Sequence, residues 1–239
     1  MKRIALFAAG LMLSGGPAVW AASATASSVA SNGGSSSASA QAVGHADATA
    51  HAGATRGGQA VADSVAIGDG NGYAASDAVA AADRGLAISN SRADARGWYG
   101  GSALATSESM AGAMGGVAIS NSDALASGTL GGQARSQSYS TSLTRGGVAR
   151  SDSSAVSEGY WGGSARSVSD SLADTVGGRV ASRVVALSGA RYHASAEANG
   201  RGVSVSGFSR TRPVEVRATS QAQRFGSSRS NAVAVQVRR

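Results

Sequence analysis

The residues between Gly97 and Ser188 predict an all-β repeat fold, a parallel β-solenoid with a thin interior of alanine and serine. Three observations carry this. Paired glycines fall at 100–101, 115–116, 131–132, 146–147, 162–163 and 177–178, an almost even spacing. The turns also alternate in kind. G-W-Y-G-G, G-T-L-G-G and G-Y-W-G-G begin at Gly97, Gly128 and Gly159, a 31-residue period, with A-M-G-G, T-R-G-G and T-V-G-G between them at the same interval. Self-similarity at a fixed period marks a repeat architecture. Between the glycines, small residues occupy every second place: Ala103, Ala105, Ser107, Ser109 and Ala111, then Ala118, Ser120, Ser122, Ala124 and Ala126. Period two is the signature of extended strand, whose alternate side chains point to opposite faces.

The opposite face is mixed in size, with Leu104, Thr106, Glu108 and Met110 in one segment and Val117, Ile119, Asn121 and Asp123 in the next. Only the Ala/Ser face is uniform, so it is the face expected to be buried. Methyl and hydroxymethyl groups allow two sheets to approach closer than the roughly 10 Å of ordinary stacked sheets. Each contributes far less than the ~1.5–3 kcal/mol of a buried Leu or Val. Stability must then accumulate over many repeats, and inward hydroxyls need partners.

Two topologies accommodate a 31-residue unit with two strands of about ten residues. In a parallel solenoid one unit is one coil. In an antiparallel meander one unit is a hairpin. The solenoid buries the small face without a second domain and stacks Val117 on Val148, and Leu125 on Val156 on Leu187. It also places Arg135 on Arg166, an unfavourable like-charge pair. The solenoid is the preferred reading and the meander the alternative.

Residues 1–21 have the form of a secretory signal peptide. Lys2 and Arg3 precede an apolar run from Ile4 to Leu13, and small residues around Val19-Trp20-Ala21 offer a cleavage site. The run is too short to span a bilayer, and no later window suggests a transmembrane anchor. The expected location is outside the cell, secreted or at a bacterial surface. The chain has no cysteine, which excludes thiol catalysis and a disulfide framework. Residues 22–56 are rich in Ser, Ala and Gly. Their even positions from Ala38 to Ala54 are Ala except Gly44, a pattern that fits either strand or a flexible spacer. His45 and His51 would lie about 20 Å apart along a strand and cannot share one metal ion.

Residues 57–188 form the repeat array, less regular before Gly97. Ser64-Val65-Ala66-Ile67-Gly68, echoed by Leu86-Ala87-Ile88-Ser89 and Val117-Ala118-Ile119-Ser120, resembles the head-domain repeats of trimeric autotransporter adhesins. That resemblance implies a β-roll and a role in attachment to surfaces. Asp69-Gly70-Asn71-Gly72 matches the start of a calcium loop but lacks the later acidic ligands, so it reads as a turn. Arg56-Gly57-Gly58 and Arg145-Gly146-Gly147 also read as turns, not as RNA-binding segments, and no specific nucleic-acid recognition is expected. No nucleophile elbow, Walker loop, H-E-x-x-H or paired-carboxylate spacing is present. Neither enzyme activity, a metal nor a cofactor is expected.

Two surfaces are candidates for binding. Trp98, Tyr99, Tyr160 and Trp161 sit in turns of one kind. They either shield the ends of a thin core or form an exposed platform for sugar rings or a partner subunit. The second surface is the Arg-rich tail, residues 189–239, taken as a C-terminal cap, with Arg201, Arg210, Arg212, Arg217, Arg224 and Arg229. Charge is polarised along the chain: residues 22–133 hold four Arg and eight acids, whereas residues 134–239 hold fifteen Arg and six acids. A basic half favours polyanions such as lipopolysaccharide, extracellular DNA or acidic polysaccharide, or simply keeps the array soluble.

The expected function is that of an exported structural or adhesin-like repeat protein, acting in surface attachment or in matrix and fibre formation, with self-association into oligomers or fibres. A monomeric glycan- or ice-binding solenoid and a disordered exported spacer are the alternatives.

Overall fold

Alternation and glycine corners produce fourteen strands: β1 (Ala21–Ala30), β2 (Ser35–Ala54), β3 (Gln59–Gly68), β4 (Tyr73–Asp83), β5 (Leu86–Gly97), β6 (Ser102–Met114), β7 (Val117–Gly128), β8 (Gln133–Arg145), β9 (Val148–Tyr160), β10 (Ser164–Val176), β11 (Arg179–Arg191), β12 (Ser195–Ser206), β13 (Glu215–Gln223) and β14 (Ser227–Arg238). The structure, a computed structural model, describes residues 21–31, 33–69, 72–98, 102–192, 195–206, 214–223 and 227–238. Apart from Ala21, the expected signal peptide lies outside the described residues.

Every strand pairing is parallel. The chain is therefore a β-solenoid, and the antiparallel meander is excluded. Sheet A holds β1, the second half of β2, β4, β6, β8, β10, β12 and β14. Sheet B holds the first half of β2, β3, β5, β7, β9, β11 and β13. β2 crosses between the sheets at Gly44, whose φ of 118° bends an otherwise continuous strand. Six complete coils run from the second half of β2 to β13.

The expected stacks are present. Val117 pairs with Val148, and Leu125 with Val156 and then Leu187. Arg135 lies on Arg166 as anticipated, and the repulsion is relieved on the far side, where Glu197 stands 3.6 Å from Arg166. The coil length is not constant. The coils are shortest at the N-terminal end, where Ala21 pairs with His45, and they lengthen through the pairs Gln59 with Leu86 and Ala46 with Ala74. The full repeat step is reached where Tyr73 meets Leu104 and holds as far as Ser164 with Ser195. It grows by one position where Arg183 meets Glu215 and Ser195 meets Ser227. The rod thus tapers towards its N-terminal end.

The interior is the Ala/Ser face. The buried apolar residues are all alanine except Val180 and Val184, and most buried polar residues are serine. Serine hydroxyls alternate between the sheets in two continuous stacks. One runs Ser64, Ser76, Ser91, Ser107, Ser122, Ser138, Ser153 and Ser169. The hydroxyls of Ser76, Ser107, Ser122, Ser138 and Ser153 each donate to the main-chain carbonyl of the preceding serine in the facing sheet, at 2.6–2.8 Å. The other stack runs Ser89, Ser109, Ser120, Ser140, Ser151, Ser171 and Ser182. A hydroxyl so close to its own backbone reaches the opposite one only if the sheets nearly touch.

Both stacks end at the same level. Ser169 is followed in sheet A by Gly200, and Ser171 by Gly202, while Val184 succeeds Ser153 in sheet B. A Cβ on Gly200 would meet Val216 and Val184 at 3.1–3.2 Å, and one on Gly202 would press Val214 and Val216 closer still. Valine on one sheet is accommodated by glycine on the other, which conserves interior volume.

The corner from sheet A to sheet B is a column of glycines: Gly34, Gly58, Gly85, Gly116, Gly147 and Gly178. A Cβ on Gly147 would overlap the carbonyl oxygen of Gly116, and the same holds up the column. That carbonyl accepts from Val148 N at 3.0 Å. The residue before each column glycine is different. Gly146 has φ 74° and open space around a built Cβ, so it is there for its backbone sign. Arg84 takes the same left-handed turn at φ 52°, and before Gly58 the place is held by Gly57 at φ 85°, with Arg56 left-handed one residue earlier. The R-G-G segments are therefore corners.

These distinctions separate two substitutions. Gly147→Ala should destabilise by more than about 4 kcal/mol or abolish folding, since neither backbone can give. Gly146→Ala should cost about 1–2 kcal/mol, the left-handed penalty alone. Urea titration followed by far-UV circular dichroism measures both.

The hydroxyls differ likewise. Ser138→Ala removes links to both neighbouring layers and should cost about 1 kcal/mol. Ser136, Ser167 and Ser204 bury hydroxyls without a partner among the described residues, so alanine at any of the three should leave stability unchanged or raise it. If Ser136→Ala lost as much as Ser138→Ala in the same titration, the hydroxyl stacks would not be stabilising.

Candidate functional site

An interior filled by methyl and hydroxymethyl groups leaves no room for a ligand, so recognition falls to corners, outer faces and ends. The corner from sheet B to sheet A carries the aromatics. Gly97, Gly128 and Gly159 stack in register, which brings Trp98 level with Thr129 and Tyr160. The next position is Leu130, Trp161 and Tyr192, all with left-handed φ of 54–60°. Trp161 and Tyr192 stack face to face, 4.3 Å between centroids with planes 7° apart. Arg191 lies 5.5 Å over the Tyr160 ring, and Trp98 donates from Nε1 to Asp69 at 3.2 Å. Trp98 is 52% and Trp161 59% exposed. Tyr99 lies outside the described residues. Tyr192 was not singled out in the sequence, although it stands one full repeat beyond Trp161.

The outer face of sheet B bears an open trough of about 660 Å³. Its floor is one column, Asp63, Asn90, Asn121, Asp152 and Arg183. Asn90 donates to Asp63 at 2.6 Å and Asn121 to Asn90 at 2.8 Å. Beside it Arg92, Asp123, Ser154, Val185 and Arg217 form the next column. The repeat signal of the sequence contains this ladder, since Asn90 and Asn121 are one period apart, but composition draws no attention to it.

The named arginines do not converge. Arg201 and Arg229 lie on strands of sheet A, Arg217 on sheet B, facing the other way. Arg210, Arg212 and Arg224 lie outside the described residues. Arg201 pairs in register with Asp170. Among the described residues no group of three or more His, Cys, Asp or Glu is placed to hold a metal ion, and no helix is long and apolar enough to cross a membrane.

Three carboxyl groups on the outer faces titrate high. Burial raises the pKa of Asp123, Asp152 adds to this, and Arg92 opposes it. Burial raises Asp77 as well, joined by the charges of Glu108 and Asp47 and opposed by His51. Asp170 is raised by burial against the pull of Arg201.

Compared with family models, curated proteins and solved structures, the chain matches none. Its class therefore rests on its own geometry: a two-sheet parallel β-solenoid with a serine-bridged interior.

The raised carboxyls set the sign of the pH dependence. Their native pKa lies above the unfolded value, so between the two the native state holds more protons and stability falls as pH rises. Their contribution is complete below the unfolded carboxyl range and is lost on passing upward through the native values. The exposed ion pairs, such as Arg183–Glu215 at 3.7 Å, are too weak to reverse this. The melting temperature should rise when the pH is lowered from neutral to about 4.5, near the ordinary carboxyl range. Asp77→Asn and Asp123→Asn should each raise it at neutral pH and flatten the profile, as followed by circular dichroism.

Proposed function

We propose that this chain is an exported structural protein of the cell surface or extracellular matrix, whose copies associate into fibres and present an adhesive outer surface. One observation carries the reading. The outermost strands at both ends of the rod, β1 with the first half of β2 and β13 with β14, have edges that no other described strand pairs with. Unpaired parallel edges attract further strands unless charge, proline or a covering element defends them. β1 and the first half of β2 contain no charged residue at all. A disordered spacer does not fit a chain whose described residues from Ala21 onward are almost all strand. The attachment role draws on the likeness of the S-V-A-I-G segments to trimeric autotransporter adhesin heads.

The aromatic corner favours a second reading, binding of sugar rings. Trp98 and Trp161 on one edge are both more than half exposed and present aromatic surface to solvent.

Both readings meet one experiment. The chain beginning at Ala22 is incubated at neutral pH, then viewed by negative-stain electron microscopy and sedimented with and without insoluble polysaccharide. The expected result is unbranched fibres with the ~4.7–4.8 Å axial repeat of stacked strands. Persistent monomers that sediment with the polysaccharide would transfer support to glycan binding. Monomers that bind nothing would overturn both.

A further inference from the structure

We propose that copies of this chain join head to tail by strand exchange, β14 of one copy taking the place of β1 on the second half of β2 in the next. This rests on the fibre reading above and specifies its junction.

Sheet A has eight described strands and sheet B seven, and the outermost members of sheet A are β1 and β14. A rigid stack that set β1 of one copy on β14 of another would continue sheet A. It would also leave sheet B one strand short at each junction, between β13 and the first half of β2 in the next copy. With β1 set aside, seven strands face seven, and both sheets continue without a gap. β1 and β14 therefore compete for one place.

The two competitors differ in fitness for it. β1 reads A-A-S-A-T-A-S-S-V-A, whereas β14 carries N-A-V-A-V-Q-V, and valine is the better strand former. The parity agrees. Even-numbered residues face inward on both strands, Ala22, Ala24 and Ala26 against the core and Ala232 and Ala234 in line with Gly200 and Gly202. The exchange therefore keeps small residues inside. β14 is also the strand with most to gain. Ala232 and Ala234 are exposed although their column is interior in every preceding coil, and Val233 on the other face is 50% exposed.

Charge gives the direction. Residues 21–83 contain five Asp and one Arg, while Arg201, Arg217, Arg229 and Arg238 outnumber Glu197 and Glu215 in β12–β14. Sequence order is axial order in a solenoid, so the rod is acidic at its N-terminal end and basic at its C-terminal end. Opposite ends attract and like ends repel. Such a heterologous contact does not close on itself and propagates as a filament.

The register of the columns supplies the test. Thr25 pairs with Thr49, and Arg201 with Val233, along one outer column that also contains Asp77 and Asp170. Under exchange, Val233 of one copy comes beside Thr49 of the next. In a rigid stack it comes beside Thr25. The chain has no cysteine, so paired substitutions report cleanly, and within one copy the two ends are about 34 Å apart at strand spacing. Neighbouring strand positions lie within disulfide reach.

Val233→Cys is combined with Thr49→Cys or with Thr25→Cys, with Asn231→Cys and Val235→Cys replacing Val233→Cys as register controls. Each variant is assembled, oxidised and run on a non-reducing gel. The expected result is a ladder of linked multimers with Thr49→Cys, at least tenfold stronger than with Thr25→Cys. A ladder confined to Thr25→Cys overturns the exchange and leaves fibre formation standing. Fibres without a ladder in any variant overturn the exchange as well. Monomers alone overturn the fibre reading with it. Removal of residues 22–30 should also shorten the lag before assembly several-fold in the otherwise intact chain, and an unchanged lag counts against β1 as the displaced strand.

Discussion

The serine hydroxyl that reaches the main chain of the facing sheet is the constraint from which the rest of the rod follows. At 2.6–2.8 Å from the opposite carbonyl, it holds the two backbones at a separation suited to small side chains, with Thr144, Thr175 and Val180 admitted beside the corners. Alanine fills the remaining inward places because a methyl group fits in the same gap. The corner must then turn within the same small space, and this excludes any Cβ at Gly58, Gly85, Gly116, Gly147 and Gly178. Hydroxyl bridges, alanine methyls and glycine corners are one requirement met at three kinds of position. Each contributes little alone, so the coils must be many and their backbones fully paired.

The repeat made the architecture legible. Glycine spacing located the corners, alternation located the strands, and uniform size on one face identified the interior. The Val117–Val148 and Leu125–Val156–Leu187 stacks followed from the repeat step alone. Sequence was less informative wherever the step changed. The shorter coils at the narrow end break the even interval between glycine corners, and β2 passes from one sheet to the other through a lone Gly44. Composition alone left that stretch between strand and spacer; the pairing partners it finds in β1, β3 and β4 decide for strand. Tyr192 escaped notice because Ala190-Arg191-Tyr192 lacks the preceding glycine of its equivalents. The exchange of serine for Val184 and Val216, opposite Gly200 and Gly202, was illegible for another reason. It is a compensation between sheets, and the two partners lie far apart in sequence.

That compensation changes the character of the rod along its axis. Through most of its length the interior is bridged by hydroxyls between closely spaced sheets. At the level of β12 and β13 Gly200 and Gly202 instead face Val184, Val214 and Val216. Beyond it β14 packs against β13 on one side only, with no further described strand of sheet B to cover it. The coil is also longest there, as the pairs Arg183 with Glu215 and Ser195 with Ser227 mark. The wide, basic, valine-bearing end and the narrow, acidic, alanine-bearing end are unlike each other in every respect that governs association.

A solenoid this thin cannot place function inside itself, since a pocket would need interior volume that the hydroxyl bridges remove. What remains is periodic surface and two terminal edges. The outer columns use most of their polar groups on one another: Asn90 on Asp63, Asn121 on Asn90, Arg166 near Glu197. These ladders hold the coils in register more readily than they hold a ligand. The aromatic corner is partly engaged, Trp161 on Tyr192 and Trp98 on Asp69, yet both tryptophans stay more than half exposed, and the outermost strand edges pair with no other described strand. A flat tryptophan face can accept a sugar ring, but an unpaired parallel edge accepts only another extended backbone in register. On the proposed fibre reading that backbone is supplied by a second copy of the same rod, whose opposite end carries the complementary charge.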